Sequence, residues 1–240
     1  MRREEKAIFA LRELYEDCGY APYKMSKFEE YDLYVRNKDF LISDGVITFT
    51  DTDGKLMALK PDVTLSIIKN SRDEAGCVQK VYYNENVYRV SEDAHCFKEI
   101  LQTGLECMGD IDEATLYEVL RLAAASLRSV APRAVLDIAH RGVIEELLAP
   151  LSPTDGAQAA IYRCIREKNA HELKAVCGAY AVAEDTADKL QKLVGLYGAP
   201  AKVIPALKAL VGDTEAVAQL ERLTKDTPDG MIRIDFSVVD

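Results

Sequence analysis

The chain lacks tryptophan altogether and contains only three histidines and six cysteines among its 240 residues. No two cysteines have the C-x-x-C spacing and no two histidines have the H-x-x-x-H spacing that typical zinc sites use. The cysteine spacing is also unlike that of the disulfide frameworks found in small secreted domains. The sequence therefore predicts reduced cysteines, no metal site and no cofactor.

Long apolar runs are absent too, since no segment approaches the roughly 18 to 20 residues of a membrane-spanning helix. The first twenty residues, MRREEKAIFALRELYEDCGY, are too charged for a signal peptide. Lysine and arginine number 30 against 40 aspartates and glutamates, a net charge of −10, and the cations form no basic stripe. We therefore expect a cytoplasmic protein that binds neither nucleic acid nor membrane.

Common catalytic signatures are missing as well. The sequence has no G-x-x-x-x-G-K-[ST], no G-x-G-x-x-G, no H-E-x-x-H and no G-x-S-x-G motif. A general assignment as a nucleotide-binding protein or a hydrolase therefore has no support. With 48% hydrophobic and 29% charged residues, the composition is that of an ordinary globular chain of one large domain, or of one domain with an insertion.

The periodicity of apolar residues predicts a mixture of helices and strands. Helical spacing appears over 2–17, 63–70, 115–130 and 142–148. Asp53-Gly54, between two β-prone segments, is a strong hairpin signal, and 79–90 and 97–108 are predicted to pair as a longer hairpin. A short strand over 135–139, about five helices within 153–225 and a last strand over 231–239 complete the pattern.

This order of elements predicts an α+β fold, with a mainly antiparallel sheet flanked by helices. We divide the chain into a core over 1–151, a helical insertion over 152–230, and a strand over 231–240 that returns to the core.

Polar residues at even spacing mark elements that otherwise look buried. Asp62 and Thr64 are two residues apart after a strand, so their side chains point the same way in an extended segment. Gln102 and Glu106 likewise share one face of their strand. If the long hairpin forms, Arg89 reaches the same surface, and Gly104 leaves room for a group to lie close to the backbone.

Two carboxylates, a hydroxyl, an amide and a guanidinium suit a zwitterion. The acids would face its ammonium and Arg89 would face its carboxylate. A small amino acid is the natural ligand for such a set. The alternative is that Arg89 only forms a structural ion pair with Glu106 or Asp62.

Four motifs, in this order and spacing, resemble the class II histidyl-tRNA-synthetase-like family. They are LKPDVT at 59–64, VYRV at 87–90, FKEILQTGLECMG at 97–109 and LDIAHRGVIEELL at 136–148. Within this family the sequence is most similar to the non-catalytic regulatory subunits of ATP phosphoribosyltransferase. The resemblance implies a class II synthetase-like antiparallel sheet with a helical insertion.

The resemblance also implies roles for the five polar residues. In the family's motif L-R-P-[DE]-x-T, the acid and the threonine hold the ammonium of histidine, and they match Asp62 and Thr64. Arg89, Gln102 and Glu106 match the second motif, with Gln102 near the ammonium and Glu106 near the imidazole.

This chain also departs from the family pattern. Lys60 replaces an arginine of the first motif, and Ser91 and Lys98 replace charged residues that flank the loop of the second motif. The closing strands and the third class II motif, which follow MIRIDFSVVD in the family, are missing. We therefore expect no aminoacylation and no catalytic residues.

The implied function is regulatory. The chain would support the short catalytic subunit of ATP phosphoribosyltransferase in histidine biosynthesis, as a homodimer, with histidine as a possible effector. One alternative is a histidyl-tRNA synthetase fragment or a synthetase-derived amino-acid-activating enzyme. Another is a scaffold whose pocket is vestigial.

Overall fold

The computed structural model describes residues 2–37, 45–71, 76–91, 96–149, 155–225, 227 and 230–239. The chain forms two compact units, Met1–Thr115 and Leu116–Asp240. The three-part division into 1–151, 152–230 and 231–240 stays a prediction. The described residues do not include 150–154, where its first boundary lies.

The first unit contains three helices and six strands among its described residues. The helices are α1 (Arg3–Asp17), α2 (Asp32–Arg36) and α3 (Thr64–Asn70). The strands are β1 (Ala21–Pro22), β2 (Phe28–Glu30), β3 (Thr48–Thr50), β4 (Leu56–Leu59), β5 (Val78–Ser91) and β6 (Cys96–Gly109). The helix α4 (Glu113–Val130) starts where this unit ends.

Helix α1 begins and ends as its sequence predicts. Glu5 accepts a hydrogen bond of 2.7 Å from the backbone N–H of Arg2, and acidic residues in the first turn favour the positive end of the helix dipole. At the other end Gly19 has a φ of 82°, a conformation that favours glycine and stops the helix. Leu11 and Tyr15 are buried, four residues apart on one side of the helix.

Both predicted hairpins are confirmed. Strands β3 and β4 pair antiparallel, with Thr50 opposite Leu56, and Gly54 has a φ of 80° in the connecting turn. Oδ1 of Asp51 accepts hydrogen bonds from the N–H groups of Asp53 and Lys55, which closes this turn. Strands β5 and β6 pair antiparallel along their full length, from Val78 opposite Gly109 to Ser91 opposite Cys96.

The second unit is mainly helical. Its elements after α4 are β7 (Leu136–Ile138), α5 (Arg141–Leu148), α6 (Asp155–Arg166), α7 (Ala170–Ala179), α8 (Glu184–Val194), β8 (Tyr197–Gly198), α9 (Pro200–Val211), α10 (Glu215–Thr224), β9 (Ile232–Asp235) and a 3-10 helix (Phe236–Val238). The predicted group of about five helices is therefore confirmed as α6 to α10, while the two-residue strand β8 among them was not predicted. Their apolar sides enclose a core that includes Ile144, Ile161, Ile165, Leu173, Leu193, Leu207, Leu220, Ile234 and Phe236.

The expected single sheet is not found among the described residues, which form three separate three-stranded sheets. Their strand orders are β1-β5-β6, β2-β4-β3 and β7-β9-β8. Four of the six strand pairs are antiparallel, as predicted, whereas β1 pairs parallel with β5 and β9 pairs parallel with β7. The last strand pairs with the strand of the LDIA segment, where Leu136 lies opposite Ile232.

No helix in the described part of the chain is long and apolar enough to cross a membrane.

Candidate functional site

The register of the β5–β6 hairpin places the predicted site residues of both strands on one face. Val81 lies opposite Glu106, Glu85 opposite Gln102, and Arg89 opposite Lys98. Side chains two residues apart on a strand share a face, so Arg89, Gln102 and Glu106 lie on the same side. We call this side the candidate face.

The LKPDVT segment lies against this face because several hydrogen bonds attach it to neighbouring strands. The backbone N–H of Tyr88 donates to the carbonyl of Lys60 at 2.8 Å, and Nε of Arg89 donates to the carbonyl of Pro61 at 3.0 Å. The Lys60 N–H donates in turn to the carbonyl of Lys27. Helix α3 then packs Val63 and Ile67 on Val81 and Val87 of β5.

Asp62, Thr64 and Glu106 come together at one end of the candidate face. The Thr64 hydroxyl donates a hydrogen bond of 2.6 Å to Oε1 of Glu106. Oδ1 of Asp62 accepts a hydrogen bond of 3.0 Å from the backbone N–H of Leu65, in the first turn of α3. Asp62 therefore also stabilises the start of a helix, a role that the sequence analysis did not assign to it.

Burial and nearby charge raise the pKa values of Glu106 and Tyr83 at this end of the face. Burial raises the pKa of Glu106, the hydrogen bond from Thr64 partly offsets that rise, and the nearby charge of Asp62 adds to it. Burial, with smaller contributions from Glu106 and Asp62, raises the pKa of Tyr83 to about 12. The Tyr83 phenol therefore stays neutral at physiological pH, close to two carboxyl groups.

A buried ion pair lies in the middle of the face. Nζ of Lys60 is 3.0 Å from Oε2 of Glu85, and the two side chains are 0% and 20% exposed. Gln102 lies directly opposite Glu85 on β6. The sequence analysis noted Lys60 only as a replacement for an arginine and missed Glu85. The alternation along β5 could have indicated Glu85, because it is four residues from Arg89.

Arg89 and Gln102 share the face, but in the described part of the chain neither forms a hydrogen bond or an ion pair with Thr64 or Glu106. Among the described residues Arg89 forms no ion pair with Asp62 or Glu106, so the alternative of a structural bridge between them is wrong. Nη2 of Arg89 is buried and has no hydrogen-bond partner in the described part of the chain. Nη2 is therefore an unsatisfied donor beside the candidate face.

Two cavities of similar size lie away from the Thr64–Glu106 pair. One, of about 500 Å³, lies between α1 and the opposite side of the hairpin, where Phe9, Tyr82 and Thr103 line it. The other, of about 510 Å³, is in the second unit beside the start of α9. No cluster of three or more histidine, cysteine, aspartate or glutamate side chains among the described residues could hold a metal ion.

Comparison with known proteins identifies the group to which this chain is related. A family model described as histidyl-tRNA synthetase matches residues 1–237. An ATP phosphoribosyltransferase regulatory subunit of Oceanobacillus iheyensis is 28% identical over 80% of this chain and 48% of its own length. A histidine–tRNA ligase of Archaeoglobus fulgidus is 25% identical over 99% of this chain and 58% of its own length.

The fold has a close counterpart among solved structures. A chain of the ATP phosphoribosyl transferase complex from Thermotoga maritima matches with a TM-score of 0.70 at 18% identity, over 97% of this chain and 80% of that one. The chain spans about half the length of the two curated relatives. With a match over nearly its whole length, the chain belongs to the histidyl-tRNA synthetase family.

Proposed function

We propose that the protein is a regulatory, non-catalytic subunit of ATP phosphoribosyltransferase that acts in histidine biosynthesis and carries a pocket for histidine. The observation that supports this most is the Thr64–Glu106 hydrogen bond beside Asp62. It brings together, from segments 42 residues apart, three of the residues that the family resemblance assigns to histidine.

The chemistry of the candidate face suits histidine as the ligand. Glu106 and Asp62 offer carboxylates to the ammonium and the imidazole, and Nη2 of Arg89 is an unsatisfied donor for a carboxylate. Gln102 adds an amide that both donates and accepts. The rise of about 3.4 Å per residue places Gln102 and Glu106 about 14 Å apart at Cα, so both side chains must lean toward one bound amino acid.

The proposed partner is the short catalytic subunit of ATP phosphoribosyltransferase, and the proposed assembly contains this chain as a homodimer in the cytoplasm. Support for the partner comes from the relative in Oceanobacillus iheyensis, whose name is that of a regulatory subunit, and from the complex of Thermotoga maritima. In such a complex histidine can act only through its different affinity for two arrangements of the subunits.

Co-expression with the short catalytic subunit of the same genome tests this proposal. We expect the two chains to co-purify, the phosphoribosyltransferase activity to require this chain, and histidine to inhibit the complex. Glu106→Gln should weaken histidine inhibition. Glu145→Gln, on an exposed i,i+4 ion pair in α5, is the matched control and should leave inhibition unchanged. Failure to co-purify would contradict the proposal. Co-purification and activation that Glu106→Gln and Asp62→Ala leave untouched, without histidine inhibition, would indicate a scaffold with a vestigial pocket.

A second candidate is a histidine-activating enzyme of the synthetase type. The similarity to the Archaeoglobus fulgidus ligase over 99% of the chain favours it. Histidine-dependent exchange of pyrophosphate into ATP separates the two candidates, because only an activating enzyme catalyses that exchange. We expect no exchange, since Ser91 and Lys98 replace charged residues that flank the loop of the family's second motif.

A further inference from the structure

Gly104 has no side chain, and the space that this leaves above its backbone, here called the recess, is filled by Tyr83. Tyr83 lies directly opposite Gly104 in the hairpin, on the candidate face. A Cβ atom placed on Gly104 would be 2.7 Å from Oη and 2.9 Å from Cζ of Tyr83, closer than real Cβ contacts. The hydroxyl end of the phenol therefore rests on the backbone of Gly104, in the space that the glycine leaves open.

This position separates the two halves of the candidate face. Gly104 lies between Gln102 and Glu106 on β6, with two residues' rise to either side. A phenol above it stands between the Glu106 carboxyl and the Gln102 amide. A ligand that contacts both groups at once must use the same space.

The phenol is held there by packing. Its ring lies against the apolar cluster of Val63, Ile67, Val81 and Val87. The Tyr83 hydroxyl is not hydrogen-bonded to any described residue. A side chain held by apolar packing on one side can rotate away at a moderate cost, unlike one that is fixed by buried hydrogen bonds.

We propose that Tyr83 occludes this site in the free chain, because its phenol occupies the recess over Gly104 and the ligand must displace it. The inference rests on the proposed histidine pocket. If the recess is open in about a tenth of the molecules, the apparent affinity for the ligand is about tenfold below that of an open site. The competing explanation is that Tyr83 only covers Gly104, as aromatic residues opposite a strand glycine do.

Isothermal titration of the full chain with histidine distinguishes these explanations. We expect Tyr83→Ala to tighten histidine binding about tenfold and Tyr83→Phe, which keeps the ring, to leave it within about twofold. Tyr83→Val, a residue suited to strands, should tighten binding in the same direction if the alanine variant folds poorly. Tyr88→Ala, on the opposite side of β5, is the matched control and should not change affinity.

Each other result overturns the inference in a recognisable way. Unchanged or weaker binding by Tyr83→Ala and Tyr83→Val, with normal binding by the parent chain, would show that Tyr83 covers the glycine or contacts the ligand, and the histidine pocket would stand. No binding by the parent chain or any variant would overturn both the pocket and this inference.

Urea unfolding tests the geometry without a ligand. Gly104→Ala should lower the urea midpoint in the parent chain, because the new Cβ displaces the phenol. The same substitution should lower it less in the Tyr83→Ala background, where the space is free. Equal effects in both backgrounds would overturn the placement of the phenol in the recess.

Discussion

The hydroxyl of Thr64 donates a 2.6 Å hydrogen bond to Oε1 of Glu106, and this contact joins the start of α3 to the C-terminal part of β6. The bond is short because the acceptor can carry a negative charge. It keeps the carboxyl of a half-buried glutamate ionised more readily than burial alone would allow. Because burial and the hydrogen bond act on the Glu106 pKa in opposite directions, a change in either one shifts that pKa.

Thr64→Val should raise the pKa of Glu106 further. The isosteric change removes the hydrogen bond that favours the charged carboxylate, while burial and the Asp62 charge still disfavour it. Carboxyl ¹³C titration by NMR of both chains would measure the change. Thr64→Ser keeps the donor and serves as the control. A lower pKa in the valine variant would contradict this account of the site.

Glu106→Gln should change how stability depends on pH. The pKa of Glu106 is raised in the folded chain, so this group's contribution to stability is present below its unfolded pKa, near 4.3, and is lost as the pH rises through the folded value. The glutamine variant has no ionisable group at this position, so its stability does not fall in this way as the pH rises. Its urea midpoint should therefore improve relative to the parent chain as the pH rises from 4 to 7. A constant difference across this range would rule out a raised pKa.

Lys60→Met should destabilise the chain by about 3–5 kcal/mol, because it leaves the Glu85 carboxylate unpaired in a buried place. Lys55→Met is the matched control. Lys55 also pairs with a glutamate, Glu30, but both side chains are more than half exposed, so the loss should be below about 1 kcal/mol. Urea denaturation gives both values. Adding Glu85→Gln to the Lys60→Met chain should recover part of the loss, since a neutral amide is less costly to bury.

Asp62 should show separable structural and binding roles. Asp62→Asn keeps an oxygen that can accept from the Leu65 N–H, so thermal stability should change little, whereas Asp62→Ala should cost about 0.5–2 kcal/mol. Both substitutions remove the negative charge and should weaken histidine binding in a titration. Equal loss of stability in both variants would show that the charge of Asp62, and not its hydrogen bond from the Leu65 N–H, stabilises α3.

Gly54→Ala should destabilise the β3–β4 hairpin by about 1–2 kcal/mol, because a φ of 80° places a side chain in the left-handed region. Gly178→Ala is the contrasting variant. Gly178 lies inside α7, and no atom would meet the added methyl group within 4 Å. We expect that change to stabilise the chain by about 0.5–1 kcal/mol. Both differences are measurable as shifts of the urea midpoint.

The local sequence pattern was sufficient to predict most of the helices and strands. The helical spacing before Gly19, the Asp53-Gly54 turn and the β-prone segments around Tyr83 each specify a structure through neighbours within a few residues. The alternation along β5 and β6 also predicted that Arg89, Gln102 and Glu106 share a face, since a two-residue period depends only on backbone geometry. Local pattern could not specify which sheet a strand would join, and the expected single sheet is three sheets among the described residues.

Long-range contacts account for what the sequence analysis missed at the site. Lys60 and Glu85 are 25 residues apart, and no local rule pairs a lysine after one strand with a glutamate inside another. The role of Tyr83 was equally hidden, because only the hairpin register places its phenol on Gly104.

The amino-acid sequence by itself determined most of the elements, the Asp53-Gly54 turn and the set of polar residues that face one way, because these depend on short-range backbone geometry and apolar periodicity. Only the tertiary structure decided the partners of the strands, the contact of Thr64 with Glu106 and the burial of Lys60. Those depend on segments that are distant along the chain, and the packing of apolar side chains such as Val63 and Val81 brings them together.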